Sequence, residues 1–118
     1  MAKVLIVDDE PNIRFVLRIA FEADGHTVVE AGDGKSALAA VAADRPDLVT
    51  TDFMMPVMDG AELIRELREN GDLDGVAILL VSSSPGAARV EGADDFMQKP
   101  LDPYEVVQRG LRLLEARS

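Results

Sequence analysis

The sequence predicts an α/β domain, a parallel sheet layered by helices on both faces. Two patterns carry that expectation. Short apolar runs of strand type alternate with segments repeating apolar residues at helical spacing, from one end of the chain to the other. The runs also lack polar alternation, as strands buried on both faces do.

The first run, Lys3–Val7, is a buried-type strand, and Pro11–Ala23 is the helix after it. Ile13, Val16, Leu17, Ala20 and Phe21 form its apolar stripe, with Arg14, Arg18 and Glu22 opposite. Pro11 suits a first turn, and Asp24-Gly25 ends the helix at a residue free to take positive φ. A strand over Thr27–Ala31, a turn at Asp33-Gly34 and a helix over Gly34–Ala43 follow. Next come strand Asp47–Thr51, helix Asp59–Asn70, turn Asp74-Gly75 and strand Ala77–Val81. The last elements are strand Asp95–Gln98 and helix Pro103–Ala116.

The chain of 118 residues suits one domain with one core, spanning residues 1–118. Its 47% hydrophobic and 29% charged residues fit a globular balance, and no apolar stretch nears the roughly 20 residues of a membrane helix. Met1-Ala2-Lys3 leads straight into a strand, so no leader and a cytoplasmic location are expected. The absence of Cys excludes disulfides and thiolate chemistry. His26 is the only histidine and is expected on a surface loop. A net charge of −10 argues against direct contact with nucleic acid or an anionic membrane.

The chemistry lies where the strands end. Asp8-Asp9 follow the first strand, Asp52 the third, Ser82 the fourth and Lys99 the fifth. Ligands of open α/β sheets bind outside the carboxyl ends of the strands, so these side chains are expected to converge. Asp8-Asp9-Glu10-Pro11 would by itself read as a helix cap, but the coincidence of five groups at strand ends favours a site. Crowded carboxylates repel, raising their pKa values unless a cation relieves the charge. Oxygen donors without His or Cys select Mg²⁺, with Mn²⁺ as the alternative. Lys99 and Ser82 would then supply a positive charge and a hydrogen-bond donor to a phosphoryl oxygen, which is nearly all that phosphoryl transfer needs.

The chain resembles the receiver domain of two-component response regulators. The resemblance rests on Asp8-Asp9, the block Asp52-x-x-Met55-Pro56-x-Met58-Asp59-Gly60, Ser82, the run Gly92-Ala93-Asp94-Asp95-Phe96, and Lys99-Pro100. It implies a flavodoxin-like three-layer sandwich whose five-stranded parallel sheet has the order 2-1-3-4-5. It further implies that Asp52 is the phosphoacceptor, serving a histidine kinase or a histidine phosphotransfer protein. By the same resemblance Asp9, Asp52 and the backbone carbonyl of Met54 would ligate the metal, with Asp8 acting mainly through water. Lys99 would pair with the phosphoryl oxygens, Ser82 would swing onto them, and Phe96 would move inward behind it. The Lys99–Pro100 bond is expected to be cis. An output face switched by that phosphorylation, an unidentified output partner and homodimerisation belong to the same expectation.

Two other readings compete. A Mg²⁺-dependent aspartyl phosphohydrolase would usually carry a second Asp two residues after the nucleophile, where this chain has Met54. A pseudo-receiver, working without phosphorylation, would typically lack the acidic pair or the lysine, and here all are present.

One departure from the family stands out. Lys99 follows Ser82 by only 17 positions, and Pro85 and Gly86 are poor helix interiors. Ala87–Glu91 is the best remaining helix candidate, barely more than one turn at about 3.6 residues per turn. The fourth helix of a receiver is therefore expected to be shortened or absent. Val106 and Leu113 are expected to be exposed there for a partner, and Lys99 is expected to be an exposed strand-end lysine.

Overall fold

The computed structural model describes residues 1–116. Five strands form one parallel sheet in the order β2-β1-β3-β4-β5, as expected. They are β1 (Lys3–Val7), β2 (Thr27–Ala31), β3 (Leu48–Asp52), β4 (Ala77–Ser82) and β5 (Asp95–Gln98). The helices are α1 (Pro11–Ala23), α2 (Gly34–Ala43), α3 (Gly60–Glu69) and α4 (Pro103–Ala116). Every residue of β3 and β4 is buried, whereas the sheet-edge strands β2 and β5 are partly open, with Val29 exposed. The reading of uniformly buried strands therefore holds for the centre of the sheet and fails at its edges.

Successive side chains of a strand point to opposite faces, so each strand feeds two cores. Val4, Ile6, Leu48, Leu79 and Val81 pack with Leu17 and Phe21 of α1 and Val106 and Val107 of α4. Leu5, Val7, Val49, Ile78 and Leu80 pack on the other face with Ala37 and Val41 of α2 and Leu63, Ile64 and Leu67 of α3. Burial of aliphatic side chains of this size stabilises the fold by about 1.5–3 kcal/mol each.

Element ends differ slightly from the sequence reading, for local reasons. Strand β3 starts at Leu48, and Asp47 just before it bonds Lys3 twice, its N–H donating to the Lys3 carbonyl and its Oδ2 accepting the Lys3 N–H, each at 2.8 Å. Helix α3 starts one residue late because Asp59 caps it, accepting the Glu62 N–H at 2.9 Å while Glu62 reaches back to the Asp59 N–H. Gly25 takes φ +88° as expected, but Asp33 is a helix cap rather than a turn residue, accepting the Ser36 N–H at 2.7 Å.

No α-helix joins β4 to β5 among the described residues. A single 3₁₀ turn over Pro85–Arg89 stands there, starting at Pro85 rather than Ala87. Proline suits a first helical position, where its missing N–H has no partner to lose, so Pro85 begins the turn it was expected to prevent.

Three burial expectations are corrected. Val106 is fully buried and Leu113 half-buried against the α1–α4 core, because Val106 and Val107 lie on the sheet-facing side of α4. The exposed large apolar groups of α1 and α4 among the described residues are Phe15, Val16 and Ile19 of α1 and Tyr104 of α4, so Val16 falls outside the buried stripe expected of α1. His26 is no surface loop residue: its side chain is largely buried, Nδ1 accepts the Ala2 N–H at 3.0 Å, and the ring meets Phe21 edge-on.

Candidate functional site

Because all five strands run the same way, their carboxyl ends share one edge of the sheet. Asp52 closes β3 opposite Val81, Ser82 closes β4 opposite Gln98, and Lys99 follows β5 directly. The Lys99 N–H donates to the Ser82 carbonyl at 2.9 Å, fixing where the lysine leaves the sheet. The Lys99–Pro100 bond is cis.

Lys99 turns back over the sheet edge and joins two carboxylates. Its Nζ donates to Oδ2 of Asp8 at 3.2 Å and stands 3.4 Å from Oδ2 of Asp52. Its side chain is only 15% exposed, which corrects the expectation of an exposed strand-end lysine. Asp8 and Asp52 are buried, at 3% and 5% exposure, and Asp9 is open to solvent. Asp8 uses both oxygens, since Oδ1 accepts the Glu10 N–H at 2.9 Å.

Burial pushes the Asp52 carboxyl above the ordinary carboxylate range, and the charge of Asp8 adds to the rise, while Lys99 pulls the other way. For Lys99, burial alone would favour loss of the proton, but Asp8 and Asp52 outweigh it and hold the ammonium charged. A carboxylate kept partly desolvated beside a fixed cation is poised to act as a nucleophile toward an anionic group.

The loop after β3 is built to approach closely. Gly60 donates its N–H to the Phe53 carbonyl at 2.8 Å, and a side-chain carbon there would collide with the Asp52 carbonyl and Phe53 backbone. Ser82 is wholly buried at the end of β4, and its Oγ accepts the Ser84 N–H at 3.1 Å. Phe96, paired with Leu80, lies on the same sheet face as Ser82 and packs half-buried against the α2–α3 core. Met54, whose carbonyl was the expected metal ligand, follows in the loop with its side chain exposed.

The carboxylate oxygens of Asp8, Asp9 and Glu10 come within 4.8 Å of one another, a grouping able to hold a cation. Asp52 lies outside that grouping, and Glu10 was not among the expected ligands. The donor set fits a hard divalent ion on charge as well. Asp8, Asp9, Glu10 and Asp52 outnumber the Lys99 ammonium that pairs with Asp8 and Asp52, leaving the edge negative.

Arg14 is a contributor that helical periodicity hid. Assigned to the solvent stripe of α1, it donates from Nη1 to the Asp8 carbonyl at 2.7 Å and from Nε to Glu30 at 3.1 Å, fixing the end of β1. A residue's face is legible from spacing, but the reach of an arginine over that face is not.

Residues 4–110 match the response regulator receiver domain family. The chain belongs to that family. It is 40% identical over 116 residues to the response regulator MprA of Mycolicibacterium vanbaalenii, covering 95% of this chain and 50% of that protein. It is 38% identical over 112 residues to the DNA-binding response regulator MtrA of Mycolicibacterium smegmatis, covering 91% of this chain and 48% of that protein. This receiver thus spans about half the length of those curated relatives. Its structure superimposes on the Vibrio cholerae chemotaxis protein CheY4 with a TM-score of 0.89 at 32% identity, covering 96% of this chain and 98% of that one. The receiver is a signalling domain with a flavodoxin-like fold, and no helix among its described residues is long and apolar enough to cross a membrane.

Proposed function

We propose that residues 1–118 form a single receiver domain that accepts a phosphoryl group on Asp52 and thereby switches an output surface. The observation carrying this reading is the pairing of buried Asp52 with Lys99 at 3.4 Å beside the Asp8–Glu10 carboxylates. The donor is a phosphohistidine of a histidine kinase or phosphotransfer protein. In the transfer, a carboxylate oxygen of Asp52 forms the new O–P bond as the N–P bond breaks, and the imidazole leaves with the bonding pair. No base is required, because the nucleophile is already an anion.

Asp8, Asp9, Asp52 and the Met54 carbonyl would hold Mg²⁺, which neutralises charge on the phosphoryl oxygens when bound. Glu10 stands close enough to assist through water. Lys99 already faces Asp52 and would move from carboxylate to phosphoryl oxygen over a short distance. Ser82 Oγ accepts the Ser84 N–H and keeps its own O–H free to donate to a phosphoryl oxygen, so a swing of Ser82 would be felt at the 3₁₀ turn after β4. Phe96 follows on the same face. The receiver catalyses only its own phosphorylation and dephosphorylation.

A net charge of −10 fits docking to protein surfaces and opposes direct nucleic-acid contact by this domain, and cytoplasmic action accords with a kinase donor. The test uses acetyl phosphate as donor with Mg²⁺, followed by borohydride reduction, which converts an aspartyl phosphate to homoserine. Homoserine at position 52 is the expected result, and homoserine at Asp8, Asp9 or nowhere overturns the assignment.

A further inference from the structure

We infer that Met58 is a positioning residue that holds a strained turn closed beside the phosphoacceptor and so sets the backbone of residues 53–55 for the metal. The inference rests on the metal-dependent receiver reading above.

Val57 has φ +69°, in a region that a β-branched residue rarely enters. The turn around it is the tight three-residue kind, because the Met58 N–H donates to the Pro56 carbonyl at 2.8 Å. Nothing about Val57 itself offsets the strain, since its side chain is 93% exposed and gains no packing. Conformations of this sort persist only when their surroundings enforce them.

The enforcement comes from two anchors that follow Val57 in the loop. Gly60 is pressed onto the Asp52–Phe53 backbone. Met58 lies flush on the first residue of α2, where a carbon built on Gly34 would stand 2.6 Å from the Met58 sulfur and 2.8 Å from its Cγ. Met58 also packs half-buried against the α2–α3 core, a cluster that includes buried Met55. The loop is thus pinned at Gly60 and at Met58, and the strain at Val57 lies between the pins and the metal-facing residues. Unseating Met58 lets Val57 relax to negative φ, which rotates the Pro56–Met58 peptides and displaces the Met54 carbonyl.

A merely structural methionine and a positioning one differ in how they couple to Val57. Asparagine tolerates positive φ, so Val57→Asn leaves the loop shape intact while removing the strain. Mg²⁺ binding to the full chain is measured by calorimetric titration for wild type, Met58→Ala, Met58→Leu, Val57→Asn and the Val57→Asn/Met58→Ala double variant. Gly34→Ala displaces Met58 without removing apolar surface, so it reports independently if Met58→Ala folds poorly. Expected are a loss of about tenfold in Mg²⁺ affinity for Met58→Ala and Gly34→Ala, near-native affinity for Met58→Leu and Val57→Asn, and recovery of most of the loss in the double variant. Native affinity in both Met58→Ala and Gly34→Ala, or an undiminished loss in the double variant, overturns the inference while leaving the receiver reading in place. Absence of saturable Mg²⁺ binding in wild type overturns both.

Discussion

Arg68 of α3 and Asp94, the residue before β5, form an ion pair at 2.9 Å that fastens the short crossing between β4 and β5. The same guanidinium donates to the Gly92 carbonyl at 2.9 Å and the Val76 carbonyl at 2.8 Å, and Asp94 also accepts the Ile78 N–H at 2.7 Å. One side chain thus satisfies backbone groups that flank a crossing with no α-helix of its own.

Arg68→Met keeps the apolar stem and removes these bonds, leaving carbonyls beside the core unpaired. The expected cost is about 1–2 kcal/mol, moderated by partial solvent access. Urea denaturation measures it. In hydrogen exchange, amides of residues 83–91 should exchange faster than those of α3 in wild type and faster still in the variant. Protection of that segment equal to that of α3 would mean a stable helix there.

Most of the fold was legible because central parallel strands must be apolar on both faces and helices must not, so Lys3–Val7 and Ala77–Val81 declared themselves. The site was legible for a topological reason: parallel strands deliver Asp8, Asp52, Ser82 and Lys99 to one edge whatever the details of packing. What spacing could not carry was reach and burial. Lys99 and His26 are polar residues folded inward by partners distant in sequence, and Arg14 and Arg68 bond to backbone carbonyls that leave no trace in residue type. The positive φ of Val57 was not legible either, since a β-branched side chain gives no sign of a left-handed backbone.

Asp52 has a folded pKa above its ordinary value of about 3.9, so between the two values the native state binds more protons than the unfolded chain. Its charge therefore costs stability at neutral pH, and the cost fades as pH falls through the raised pKa toward the ordinary one. Without metal, Asp52→Asn should be more stable than wild type at pH 7, with the difference shrinking toward pH 4. Paired denaturant titrations across this range check it. A difference that is constant, or grows on acidification, would contradict the shift.

Mg²⁺ should raise the melting temperature, because it binds the native carboxylates and finds no such cluster in the unfolded chain. At a hundredfold excess over its dissociation constant the gain is about 2.7 kcal/mol. Asp9→Asn should suppress that gain while leaving the metal-free protein at least as stable. A metal-free protein weakened by the substitution, with the Mg²⁺ shift intact, would make Asp9 a structural residue.

Thr50 lies in the middle of β3, 1% exposed, and its Oγ1 has no hydrogen-bond partner among the described residues. Its neighbours across the sheet are Ile6 and Leu79. Thr50→Val replaces the hydroxyl with a methyl of similar size and should stabilise the fold by about 1 kcal/mol. Calorimetry should show a rise in melting temperature of about 3–6 °C. A fall would reveal a hidden role for the hydroxyl.

The central claim, that Asp52 takes the phosphoryl group, is tested most directly by the intact mass of the protein after acetyl phosphate and Mg²⁺. Wild type should gain one increment of about 80 Da, lost again on standing with Mg²⁺ present, and Asp52→Asn should gain none. An equal gain in Asp52→Asn, or none in wild type with Mg²⁺ bound, would contradict it.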